Sequence, residues 1–209
     1  MPLYKTITPN SQTTVKIWKI TESYEDLMQP LALKVESLER VLGMKSEIHQ
    51  RGFLSVRHLL RSFGYTDEDL YYDQFGKPHL KDGKYISISH SFTFSGVVIS
   101  NENVGIDIEK QRDKIGIIAH KFVNYEFEYL DKEGQNYIKR LTVIWCIKES
   151  LYKLFATPGM LFRYHFLVIP FLIEDQETVS WIDFKGKKYR FQAKFLEFEG
   201  FTCAFTLPS

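Results

Sequence analysis

The sequence predicts an α+β protein built from two similar units, residues 1–102 and 103–209. Three observations predict it. Short alternating apolar and polar runs bounded by Gly and Asn read as strands. Longer stretches with apolar residues at helical spacing, flanked by Ser and Gly, read as helices. In each half the order is strand, helices, then antiparallel strands, and units of about 100 residues suit ordinary domain sizes.

In chain order, Thr14–Ile20 alternates and reads as a strand. Residues Pro30–Leu42 form a helix stopped by Gly43, and a second helix runs from Ser46, as N-cap, to Phe63 before Gly64. Asp67–Tyr85, punctuated by Gly76-Lys77-Pro78 and Asp82-Gly83, reads as loop. Tyr85–Ser89 and Phe94–Ser100 form a hairpin around His90-Ser91, and Val104–Glu109 follows as a strand after the Asn101-Glu102-Asn103 turn. Helical stretches near Lys114–Val123 and Tyr125–Asp131 precede a long helix from about Asn136 to Phe155. Strands near Phe166–Ile169, Val179–Phe184, Tyr189–Phe198 and Phe201–Leu207 close the chain, with Gly186 and Gly200 at the turns.

Composition narrows the function classes. A formal net charge of +1 provides no global field for nucleic acid or an anionic membrane, so anion recognition must come from a local cluster. The N-terminal residues Met1-Pro2-Leu3-Tyr4-Lys5 carry no apolar leader, and no run has the length a membrane helix needs. Cys146 and Cys203 are too few for a disulfide framework and have no metal spacing, so each reads as a buried free thiol. Together these point to the cytoplasm. No phosphate-cradling P-loop or dinucleotide-binding glycine pattern occurs.

Val104-Gly105-Ile106-Asp107-Ile108-Glu109 is the most informative stretch. Alternation sends Val104, Ile106 and Ile108 to one face, toward the core, and Gly105, Asp107 and Glu109 to the other. Two carboxylates two positions apart can converge on one hard cation, with Gly105 leaving room for a ligand, and Mg²⁺ takes such oxygen ligands together with substrate phosphates. The alternative is an acidic solvated strand face.

On the long helix, Leu141, Ile144, Ile147, Leu151 and Phe155 form an apolar stripe, edged by Trp145, Glu149 and Lys153. Glu149 and Lys153 are i,i+4 neighbours, a pair worth roughly 0.3–0.5 kcal/mol if it is only a surface contact. Lys148 falls inside the apolar stripe, where it either snorkels to water or meets a buried partner. Upstream, Gly76-Lys77-Pro78 holds a lysine in a rigid turn. Ser87 and Ser89 share a strand face, with His90 at the strand end, where hydroxyl and imidazole can donate to phosphate oxygens. A turn lysine and a hairpin histidine are the bland readings of the same residues.

Taken together, the motifs resemble those of the 4'-phosphopantetheinyl transferases, specifically the larger, two-lobed surfactin-synthetase-activating type. Gly105–Glu109 is similar to the family's metal-binding strand, and Trp145–Lys153 (Trp-Cys-Ile-Lys-Glu-Ser-Leu-Tyr-Lys) to its second signature. Gly76-Lys77-Pro78 and Ile88-Ser89-His90-Ser91 are similar to two upstream motifs, and Phe122–Glu126 to a looser Phe-x-x-x-Glu element. After Lys153 the chain departs from the family's Gly-Leu-containing stretch and reads Phe155–Leu161.

The resemblance implies two lobes with pseudo-twofold symmetry, the active site in the cleft between them, and a monomer. It implies transfer of the 4'-phosphopantetheine arm of coenzyme A, the co-substrate, to a serine of an apo carrier protein, releasing 3',5'-ADP. Asp107, Glu109 and Glu149 would ligate Mg²⁺ with the pyrophosphate, and Asp107 would thereby touch coenzyme A. Glu149 would help deprotonate the incoming serine, and Lys153 would contact the phosphate under attack or protonate the leaving group. His90, with Ser89, and Lys77, with Pro78, would hold the nucleotide end, assisted by an arginine of the second helix: Arg51 first, with Arg57 and Arg61 as alternatives. Arg112, Lys114, Lys121 and Lys132 are scattered candidates for docking an acidic carrier. The competing readings are a magnesium-dependent coenzyme A phosphohydrolase and a non-catalytic coenzyme A-binding module.

Overall fold

A computed structural model describes residues 3–209, so the reading of the first residues falls partly on Met1 and Pro2, outside the described residues. The chain divides into two compact units, Met1–Glu102 and Asn103–Ser209.

In the first unit, β1 (Leu3–Asn10) and β2 (Thr13–Lys19) form a hairpin, followed by α1 (Tyr24–Met28), α2 (Val35–Leu42) and α3 (Glu47–Ser62). A 3₁₀ turn at Asp67–Asp69 leads to β3 (Leu70–Tyr72) and β4 (Pro78–Leu80), then β5 (Tyr85–Ser91) and β6 (Phe94–Ser100). The main sheet is antiparallel in the order β1-β2-β6-β5, and β3-β4 is a separate small hairpin. Phe53, Leu54, Val56, Leu59 and Leu60 of α3 pack on Trp18, Ile86, Val97 and Ile99. Arg57 lies inside this layer, its Nε 3.0 Å from Asp67 Oδ1 and its guanidinium 3.6 Å from the Phe53 ring centroid.

Several expectations change here. The helix expected from Pro30 begins at Val35, because the backbone N–H of Lys34 donates to Asp67 Oδ2 and Lys34 stays extended at φ −67°, ψ 159°. Ser46 occupies its N-cap position, but its side chain makes no capping bond. The expected loop over 67–85 contains the β3–β4 hairpin, whose connection is tied by Asp73 Oδ1 accepting from the N–H groups of Phe75 and Lys77. The turn of the next hairpin is Phe92-Thr93, with Phe92 at φ 50°, so His90 and Ser91 are strand residues opposite Ser95 and Phe94. Strand β1 and helix α1 have no counterpart in the sequence reading.

The second unit contains β7 (Gly105–Lys110), α4 (Lys114–Ile118), 3₁₀ turns at Ala119–Lys121 and Tyr125–Glu128, α5 (Tyr137–Phe155), α6 (Phe162–His165), and strands β8 (Phe166–Val168), β9 (Glu177–Phe184), β10 (Lys187–Phe198) and β11 (Phe201–Pro208). The short α6 was not anticipated. The sheet is antiparallel in the order β7-β11-β10-β9-β8. Lys185-Gly186 and Glu199-Gly200, all four at positive φ, make two-residue turns of the kind that match strand twist. Leu141, Ile144, Ile147 and Leu151 of α5 are buried against Phe166, Ile182, Phe195 and Ala204. Cys146 and Cys203 are buried and free.

Candidate active site

The site in the second unit begins with a close approach of strand to helix. A Cβ added at Gly105 would lie 1.9 Å from the carbonyl oxygen of Ser150. The space beside Gly105 is therefore filled by the backbone of α5, not by a ligand, which corrects the sequence expectation. Strand alternation then turns Asp107, on the same face, toward the helix. Ile106 and Ile108 are buried on the opposite face, outside the apolar cluster that α5 organises.

Lys153, in the last turn of α5, donates to Asp107 Oδ1 at 2.7 Å and to the Ile106 carbonyl oxygen at 3.0 Å. It thus turns to the strand carboxylate, and not to Glu149 as an i,i+4 pair. Glu149 lies one helical turn before it. Its carboxyl is pushed up to about 7 by burial first, then by the negative charges of Asp107 and Glu109, with the Lys153 ammonium opposing. Three carboxylates and one ammonium therefore share one electrostatic neighbourhood.

Glu109 opens onto a groove of about 230 Å³ that it lines with Arg112, Lys114, Ile115, Ile118 and Trp145. The indole of Trp145 stacks on Phe162 at 5.5 Å, and Phe162 meets Tyr152 at 5.6 Å. Trp145 and Tyr152 stand at i−4 and i+3 of Glu149, so an aromatic ledge borders the carboxyl. Sequence reasoning missed Phe162 and Tyr152 as neighbours of the site. The helical offset of Tyr152 was the available signal, whereas Phe162 arrives through α6.

Lys148 has a different occupation. Its ammonium is fully enclosed, 2.7 Å from Glu126 Oε1 and 2.7 Å from the Phe122 carbonyl oxygen, with the Phe162 carbonyl at 3.2 Å. Glu126 also accepts from the N–H groups of Asn124 and Val168. Of the two readings open for Lys148, the buried partner is the one realised. The Phe-x-x-x-Glu element supplies that partner.

In the first unit, His90 is exposed near the end of β5, its ring lying over Gly52 of α3 and 6.5 Å from His49. Ser89 is buried on the other face of the strand. The Ser89 hydroxyl and the His90 imidazole therefore leave β5 on opposite faces. Arg51 lines a small cavity of about 60 Å³ with Ile20, Ile48, Phe92 and Thr93, beside the same β5–β6 turn. Its Nη2 donates to the Ile20 carbonyl at 3.5 Å, while its buried Nε makes no hydrogen bond. Arg57 is committed to Asp67, and Arg61 Nη1 donates to the Pro30 carbonyl, so Arg51 is the arginine of α3 that opens toward His90's end of the sheet. Lys77, half-buried with its ammonium pKa lowered by burial, and Pro78 lie on the β3–β4 hairpin.

Asp107, Glu109 and Glu149 offer the hard oxygen donors that a divalent cation prefers, and their accumulated negative charge already perturbs Glu149. Among the described residues, no three His, Cys, Asp or Glu side chains are gathered tightly enough to hold a metal in this arrangement. The donor chemistry fits Mg²⁺.

Residues 103–206, which contain every one of these second-unit groups, match the family model described as the 4'-phosphopantetheinyl transferase superfamily. The chain carries a domain of that superfamily. It is also similar to "4'-phosphopantetheinyl transferase gsp" of Aneurinibacillus migulanus, 30% identical over 159 residues. That match takes in 73% of this chain and spans 65% of the relative's length. The two stretches that carry the sequence resemblance, Gly105–Glu109 and Trp145–Lys153, therefore meet at one place: the β7–α5 contact enforced by Gly105.

Proposed function

We propose that this protein is a transferase that moves the 4'-phosphopantetheine arm of coenzyme A onto a serine of an apo carrier protein and releases 3',5'-ADP. The observation that carries the reading is the meeting, within a phosphopantetheinyl transferase domain, of Asp107, Glu109 and Glu149 beside Lys153. In this reaction the serine oxygen forms a bond to the phosphorus that bears pantetheine. The bond from that phosphorus to the bridging oxygen of the diphosphate breaks, and the electron pair leaves with 3',5'-ADP. No protein nucleophile is required, only positioning and neutralisation of charge.

The chain's residues divide this work. Glu149 would help take the serine proton, directly or through water. Lys153 would offer its ammonium to the phosphate under attack or a proton to the departing oxygen. Asp107, Glu109 and Glu149 would hold Mg²⁺, which supplies Lewis-acid charge to the diphosphate oxygens when bound. The aromatic ledge of Trp145, Phe162 and Tyr152 gives the pantetheine arm an apolar wall. The groove with Arg112 and Lys114 on its rim gives an acidic carrier a place beside Glu109. Arg51, His90, Lys77 and Pro78, with Ser89 contributing backbone position, would take the nucleotide end of coenzyme A.

The reading extends to the larger surfactin-synthetase-activating type, acting as a monomer in the cytoplasm. Two free, buried thiols support the location, and no helix among the described residues is long and apolar enough to cross a membrane.

Mixing the protein with coenzyme A, Mg²⁺ and an apo carrier, then weighing the carrier, tests the proposal. The expected result is a mass gain of one phosphopantetheine arm that a chelator abolishes. Coenzyme A cleavage without carrier points to the phosphohydrolase, and binding without turnover to the non-catalytic module. Either result overturns the transferase.

A further inference from the structure

The bond between Lys153 and Asp107 raises a question of competition. The ammonium is 2.7 Å from Asp107 Oδ1 and is steadied by the Ile106 carbonyl at 3.0 Å, so it is held in place by two directed bonds. It is also 29% exposed, at the end of a long flexible stem, and can leave without opening the core. A divalent ion on the same carboxylate would lie within a few ångströms of Nζ, and two cations that close repel across a partly buried site.

We infer that Lys153 is a displaceable counter-cation that competes with the divalent ion for Asp107. It thereby keeps the affinity for the bare ion low, so that tight binding awaits a substrate whose phosphates can receive the displaced ammonium. The inference rests on the reading of Asp107 as an ion ligand and deepens it. It gives Lys153 a role before any chemistry, as a brake on ion binding, and it makes ion and diphosphate bind cooperatively. Coenzyme A brings the oxygens that both cations can share. In thermodynamic terms, the diphosphate raises the affinity for the ion by the same factor as the ion raises the affinity for the diphosphate.

The test measures Mn²⁺ binding directly, by the loss of the free-ion electron paramagnetic resonance signal, with no coenzyme A present. The folded wild-type protein is compared with Lys153→Met, Lys153→Arg and Asp107→Asn. Removing the lysine charge should tighten Mn²⁺ binding by about tenfold or more, Arg should leave it weak, and Asp107→Asn should abolish it. Should Lys153→Met not fold, Lys153→Gln serves the same comparison, with circular dichroism as the check on each variant. Equal or weaker binding by the neutral variants, with binding by wild type intact and dependent on Asp107, overturns the brake and leaves the ion site standing. No Mn²⁺ binding by wild type or by the neutral variants overturns both. Binding only by the neutral variants supports the brake in its strongest form.

Discussion

Lys148 and Lys153 stand five residues apart on α5, and each has its ammonium 2.7 Å from a carboxylate oxygen. The resemblance ends there. The Lys148–Glu126 pair is wholly enclosed, one charge against one, with remaining polar capacity taken by carbonyl oxygens and by the N–H groups of Asn124 and Val168. Lys153 faces Asp107 in a neighbourhood that also contains Glu109 and Glu149, so its single charge is outnumbered. A saturated pair holds elements together, here the 122–126 segment, α6 and β8 against α5. An outnumbered pair is left with surplus negative charge, which is what a cationic or phosphate-bridging ligand completes. Charge balance, as much as burial, separates the two lysines.

The sharpest way to break this comparison is Lys148→Met. It leaves Glu126 as an uncompensated buried carboxylate, for which losses of about 3–5 kcal/mol are usual. Urea denaturation should register that loss, whereas Lys153→Met, at a partly exposed position, should move the midpoint far less. Equal losses would show that the two pairs do the same job. Next in size is Gly105→Ala. The new Cβ would fall 1.9 Å from the Ser150 carbonyl, a backbone atom that no rotamer can move aside. Strand and helix must separate, with an expected loss of about 3 kcal/mol, at the upper end of overpacking effects. Activity should fall with it, since this contact sets Asp107 against Lys153.

These two residues also show what could be read in the sequence. The strand of Asp107 and the helix of Glu149 were legible because period-2 and period-3.6 patterns are local. Lys148 was visible as a polar residue in an apolar stripe. Its partner was not, because Glu126 lies 22 positions away and reaches Lys148 through an irregular 3₁₀ segment. The two faces of β7 could be told apart, but not what covers them, so Gly105 suggested ligand space where a helix lies. The β3–β4 hairpin reads as loop in the sequence because three-residue strands offer too few alternations to declare a period, and the Asp73 bonds that form its turn resemble any polar loop.

Glu149 allows a smaller but more specific test. In the folded protein its carboxyl holds a proton up to about 7, against an ordinary value of 4.5. The folded state therefore binds that proton more tightly than the unfolded chain does. This favours folding at low pH and becomes a penalty as pH rises from about 4.5 to about 7. Above neutrality, without divalent ion, the penalty should be on the order of 2 kcal/mol after allowance for partial exposure. Glu149→Gln should be the more stable protein at pH 8, and the difference should vanish below the ordinary carboxylate range. A pH-independent difference between the two proteins would mean that neither burial nor the charges of Asp107 and Glu109 raise the Glu149 carboxyl.

The same contrast recurs on α3 between Arg57 and Arg51, and it gives the smallest expected effect. Arg57 is enclosed by Asp67, Ser37 and the Phe53 ring, a saturated set like that of Lys148. Arg51 is 26% exposed, its nearest carboxylate is the solvent-facing Glu47 at 3.9 Å, and its buried Nε makes no hydrogen bond. Exposed pairs at that distance contribute little, so Arg51→Ala should change stability by less than about 1 kcal/mol. If Arg51 serves the nucleotide end, the variant should instead raise KM for coenzyme A by about tenfold with kcat nearly unchanged, the pattern of lost uniform binding. An unchanged KM would return Arg51 to the surface and leave His90 and Lys77 to hold the nucleotide. A loss of stability as large as that of Arg57→Ala would instead show that, on this helix, charge balance does not distinguish a structural arginine from a binding one.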